Sequence, residues 1–196
     1  MTWILIAVVL LVAFGPVLWL VPSRKDKRLT ALRARGRAEG LVVELRRIPK
    51  PDPEPGDRVT AGGRVKTPVL ECASYGYTLK RKLRHLPGWR VVRTPESEKS
   101  AAPDPLSDWR YDKRPTGDAR QYLTEMLELV IPLLEALPGD VVAFEIDPRM
   151  LLVYWLEKPG TTEDSVSAVA GLLKRLEGAL AGLEEEISVA IDSDDS

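Results

Sequence analysis

The chain has 196 residues, with 28 Lys+Arg against 29 Asp+Glu, one Cys and one His, which gives room for one domain or two small ones. A single thiol and a single imidazole exclude a disulfide framework and leave no ligand set for a zinc site. The net charge of −1 hides an uneven distribution, because residues 24 to 93 carry +12 and residues 94 to 196 carry −13.

From Thr2 to Val21 no side chain is charged, and the run Trp3 to Val21 is 19 residues long. As a helix it would reach roughly 28 Å, close to the hydrocarbon thickness of a bilayer. Residues 1–22 are therefore expected to be a transmembrane anchor, with Trp3 and Trp19 as interfacial indoles and Pro16 as a kink. A cleaved signal peptide would want a basic stretch before the run and small residues after it, and neither is present. The cations Arg24, Lys25, Lys27 and Arg28 all follow the run. The positive-inside rule then places the N-terminus outside and residues 23 to 196 in the cytoplasm, with the bilayer as one partner. The lone Cys72 fits a reducing compartment.

Residues 23–39 read as a basic juxtamembrane helix, and 40–93 as a basic β-rich segment. Within it Leu41-Val-Val-Glu-Leu45 suits a strand, and Pro49, Pro51, Pro53 and Pro55 make an extended spacer. Val69 to Leu79 and Trp89 to Val92 suit further strands, separated by Gly62-Gly63 and Pro87-Gly88 turns. Residues 94–116, polar and proline-containing, read as a flexible linker.

Residues 117–191 form the acidic part. Apolar spacing predicts a helix from Asp118 to Leu137, with Pro132 as a kink or break. Val141 to Ile146 and Met150 to Leu156 predict a hairpin, and Val166 to Leu183 a second helix capped by Thr161 or Thr162. Ile187-Ser-Val-Ala-Ile191 alternates as a terminal strand would, and 192–196 should be a disordered acidic tail. The expected fold class is α+β: an N-terminal transmembrane helix, then a small cytoplasmic domain with antiparallel strands and a C-terminal helix-hairpin-helix unit.

No residue pattern identifies a reaction, and no cofactor or metal is expected. His85 lies among Lys80, Arg81, Lys82 and Arg84, which would repel a metal cation. Cys72 lacks a nearby base, Gly56 to Arg64 lacks the Lys-Ser/Thr ending of a phosphate loop, and Glu184 to Glu186 lacks the pattern of a calcium loop. A membrane-tethered enzyme would use a carboxylate pair such as Glu145 and Asp147, beside the hairpin turn, but those positions also suit a hairpin edge. Lys80, Arg81, Lys82 and Arg84, with Tyr75, Tyr77 and Trp89 nearby, have the composition of a headgroup or nucleic-acid patch. A solvated turn explains the same run, so nucleic acid is not the expected partner.

The anchor, the basic helix and Gly56-Asp57-Arg58-Val59-Thr60-Ala61-Gly62-Gly63 are together similar to the YajC accessory subunit of the bacterial preprotein translocase. The whole layout resembles uncharacterised single-span proteobacterial membrane proteins, some labelled YajC-like. It does so through the Pro-Ser-Arg-Lys-Asp-Lys-Arg-Leu exit, the Gly-Gly turn before the Cys72 strand, and the final helix-hairpin-helix. The expected function is thus a non-enzymatic binding or scaffolding domain acting with another membrane or cytoplasmic protein. The resemblance implies a bacterial inner membrane as the location, and an accessory role in protein export as the alternative.

Overall fold

A computed structural model describes Trp3 and residues 23–59, 62–95, 106, 108–115 and 121–194. The expected anchor over 1–22 lies outside the described residues except for Trp3, which is exposed. Among the described residues no helix is long and apolar enough to cross a membrane. The anchored fold class and the single-span inner-membrane placement are corrected accordingly: what the described chain forms is a six-stranded antiparallel sheet with helices packed on it.

In chain order the elements are α1 (Arg24–Ala38), β1 (Val42–Pro49), β2 (Val69–Thr78), β3 (Trp89–Arg93), β4 (Trp109–Lys113), α2 (Leu123–Ala136), β5 (Val141–Asp147), β6 (Met150–Trp155) and α3 (Glu163–Asp194). A short 3-10 turn, Pro55–Arg58, interrupts the connection between β1 and β2. The strand order is β1-β2-β6-β5-β3-β4. The acidic hairpin β5–β6 is therefore inserted between the basic strands β2 and β3, and both charge halves share one sheet. A separate C-terminal helix-hairpin-helix unit does not form.

Strand alternation divides the interior in two. On one face Ala73, Tyr75, Trp89, Val91, Trp109, Phe144, Ile146, Leu151, Val153 and Trp155 meet Leu32 of α1, Met126 and Val130 of α2, and Val166, Val169, Leu173 and Leu180 of α3. On the other face Ile48, Cys72, Val92, Ala143, Leu152 and Tyr154 form a smaller cluster. Arg110 of β4 donates to the Pro51 carbonyl, so the proline segment after β1 reaches the strand at the opposite edge.

Three local expectations change. Residues 109–113, assigned to the flexible linker, form edge strand β4, whose Trp109 and Tyr111 turn to the helix-covered core while Arg110 and Asp112 take the other face. Arg93 stacks over the Trp109 ring at 4.5 Å, which fixes this strand to β3. Residues 187–191 continue α3 rather than forming a strand, because Ile187 lies two turns beyond Leu180 on the same buried stripe. Asp192, Ser193 and Asp194, expected in a disordered tail, are the end of α3, while Pro132 sits inside α2, one of the two outcomes expected for it.

α1 crosses the sheet at short range. A Cβ placed on Gly36 would stand 2.7 Å from a Tyr75 ring carbon and 3.1 Å from Val43 Cγ2, so only glycine lets this helix lie on β2. Gly178 in α3, by contrast, has nothing within 4 Å of such a Cβ. Gly36→Val should lower stability by about 1–3 kcal/mol through overpacking. Gly178→Ala should raise it by up to about 1 kcal/mol through helix propensity. Urea denaturation of the two variants reads the opposite signs.

Candidate functional site

The cations expected beside a membrane divide into two groups. Arg24, Lys25 and Lys27 are exposed on the first turn of α1, held by a capping box between Ser23 and Asp26. Arg28 turns inward and donates to the carbonyls of Glu157 (2.7 Å), Lys158 (3.0 Å) and Thr161 (3.5 Å). One turn on, Arg33 pairs with the buried Glu157 carboxylate at 2.5 Å through Nη2, with Nε at 3.1 Å from its other oxygen. Tyr75 donates its hydroxyl to the same carboxylate at 2.8 Å. Trp19 lies outside the described residues, and Trp3 is exposed.

The second basic cluster sits on the loop between β2 and β3. Leu79, Leu83 and Leu86 anchor that loop in the core, while Lys80, Arg81, Lys82 and Arg84 remain exposed. Its backbone is fixed at two places. Leu79 and Leu83 donate to the Arg149 and Pro148 carbonyls, each at 2.9 Å. Glu184 of α3 accepts the successive N–H groups of Arg84 (2.5 Å), His85 (3.0 Å) and Leu86 (3.1 Å). A carboxylate that gathers three amides makes charge-assisted bonds, and these fasten the loop to the helix.

Between this loop and the C-terminal half of α3 lies a groove of about 530 Å³. Leu79, Leu83, Ala181 and Val189 supply its apolar lining, with Arg81, Lys82 and Arg84 on one rim and Glu177, Glu184 and Glu185 on the other. Lys80 stands 3.6 Å from the buried Glu177. Among the described residues, no carboxylate pairs with Arg81, Lys82 or Arg84. The sequence-read basic patch is real as an exposed cluster, but its surroundings are an acidic helix and an apolar floor.

The remaining candidates are occupied structurally. Burial, helped by the Glu157 charge, pushes the Cys72 thiol up to about 11, away from the thiolate that nucleophilic chemistry needs. His85 contributes its backbone N–H to the Glu184 bond, and no group of His, Cys, Asp and Glu among the described residues could hold a metal ion. Glu145 accepts the Tyr154 hydroxyl at 2.6 Å and lies 3.7 Å from Arg90, whereas Asp147 accepts the Arg149 N–H within the β5–β6 turn. Glu157 and Glu184 carry the two junctions, and sequence reasoning missed both. Glu184 stands in an acidic run that looks like solvated surface, and Glu157 follows a strand with nothing to mark its partners.

No family model, no curated protein and no solved structure matches the chain.

Two measurements test the site. Replacing Glu184 with Ala removes the acceptor of three amides, so exchange of the 84–86 N–H groups should accelerate at least tenfold while the sheet amides stay protected. Hydrogen exchange followed by mass spectrometry checks this. The tyrosines give a pH dependence. Burial, then the bond to Glu145, pushes the Tyr154 phenol up to about 12, and burial with the Glu157 bond pushes Tyr75 up further. In the unfolded chain both titrate near their ordinary value of about 10. The unfolded state thus releases its protons first, and stability present below about pH 10 is lost as pH rises toward 12. Tyr154→Phe should flatten that decline in urea midpoints measured between pH 9 and 11.5.

Proposed function

We propose that this protein acts by binding another protein, as a non-catalytic partner-binding or scaffolding domain, and that its contact surface is the groove between the 79–86 loop and α3. The observation that carries the reading is the set Arg81, Lys82 and Arg84, without carboxylate partners among the described residues, on a loop whose backbone Glu184 fixes. Cations on a rigid loop above Leu79, Leu83 and Val189 suit a segment that brings an acidic side chain to the rim and an apolar one to the floor. The raised Cys72 thiol and the structural engagement of Glu145 and Asp147 support a binding role over a catalytic one.

Crosslinking and co-purification from cells should recover a stoichiometric partner with the native chain. The double variant Arg81→Glu/Lys82→Glu should lose at least tenfold of that recovery with an unchanged denaturation midpoint, and Lys113→Glu at the far edge should lose none. Full recovery by the double variant would exclude the groove. Repeated failure of the native chain to recover any partner would remove the binding role itself.

A further inference from the structure

β1 is an edge strand of eight residues, and its outward side has no neighbour among the described strands. The Lys50 N–H donates to the Pro68 carbonyl at 2.9 Å, continuing the β1–β2 register in which Ile48 faces Leu70 and Arg46 faces Cys72. In an antiparallel ladder the bonding direction alternates. Even-numbered residues of β1 therefore bond to β2, and Val43, Leu45 and Arg47 turn their N–H and C=O groups outward. Leu45, in the middle of this row, is 71% exposed. The other edge, β4, is five residues long, and beyond Trp109 its side chains are Arg110, Tyr111, Asp112 and Lys113.

An exposed strand edge is a template for another strand, and the charges beside it decide which one fits. Glu44 and Arg46 flank Leu45, lie on one face of the sheet, and pair with each other at 2.9 Å. A two-fold axis through Leu45, perpendicular to the sheet, sets Leu45 opposite the second copy's Leu45. It also sets Glu44 opposite the second copy's Arg46, twice over. Centring the pairing on Glu44 would instead oppose two carboxylates, and centring it on Arg46 two guanidinium groups. Like charges directly opposite destabilise a sheet and unlike charges stabilise it, so among these three registers the sequence of β1 selects the one centred on Leu45 for pairing with itself. We propose that β1 is a homodimer interface, in which two copies join antiparallel about Leu45 into one continuous sheet with the helices of both on the same face.

The experiment uses the full-length chain with single cysteines introduced on a Cys72→Ser background. Leu45→Cys should form an interchain disulfide under mild oxidation, because opposed residues in such a pair lie about 5.5 Å apart between Cα atoms. Arg47→Cys should not, because the two copies of that residue would be four positions out of register, about 13 Å apart. In sedimentation of the cysteine-to-serine chain, Arg46→Glu should weaken the dimer about tenfold, and the swap Glu44→Arg/Arg46→Glu should restore it. Monomer at every concentration up to about 100 μM would overturn the proposal, as would equal crosslinking at positions 45 and 47. A dimer indifferent to Arg46→Glu would overturn it too.

Discussion

The ion pair between Arg33 and the buried Glu157 is the contact on which the assembly of the described chain depends. Glu157 is 5% exposed, and a carboxylate removed from water survives as an ion only when a counter-charge and hydrogen bonds replace its hydration. Arg33 and the Tyr75 hydroxyl supply both. Glu157 also holds a left-handed backbone, with φ at 51°, a conformation that non-glycine residues adopt at a cost of order 1 kcal/mol. Beyond this turn the chain presents the Glu157, Lys158 and Thr161 carbonyls to Arg28. One turn of chain thus receives the first helix, carries the end of the central strand β6, and launches α3. Removing one member of such a buried pair leaves the other uncompensated, at a typical cost of about 3–5 kcal/mol.

The two charge halves meet at this turn and again at the groove. Arg28 and Arg33 come from the basic half and Glu157 from the acidic half. Glu177 beside Lys80, and Glu184 under the 84–86 amides, repeat the arrangement, and Lys174 reaching Glu39 at 3.4 Å is its inverse. Long-range attraction between oppositely charged segments brings them together, and the buried contacts then fix their register. The near-cancellation of charge is a property of one fused body rather than of two units that keep apart.

Local signals in the sequence were strong where periodicity and turn chemistry agreed. The β5–β6 hairpin, α2 and the start of α3 at Thr162, which accepts the Ser165 N–H at 3.2 Å, are legible because each needs only neighbours in sequence. β4 was not legible, since five residues amid prolines and polar side chains become a strand only when β3 is beside them. The stretch Ile187 to Ile191 fits alternation and helical spacing equally, and the preceding stripe of α3 decides for the helix. The candidate site was legible in half. The cations of the 80–84 run stand exposed as their composition implies, but Arg33 finds Glu157 across 124 residues and Arg84 finds Glu184 across 100. No pattern within a window of sequence carries pairings of that separation.

The insertion of β5–β6 between β2 and β3 has a consequence for how the chain leaves the ribosome. The N-terminal strands are synthesised as two pairs whose inner edges face a gap, and the hairpin that fills the gap comes out after both. For the whole interval of synthesis from Thr78 to Trp155, β2 has its outer partner but lacks its inner one. A nascent chain paused late in that interval presents unpaired strand edges beside a Trp89 not yet covered by the hairpin, which is the state in which strands recruit the wrong neighbour. The fold is thus closed from its centre, late, by the hairpin that runs directly into the turn holding the buried Glu157.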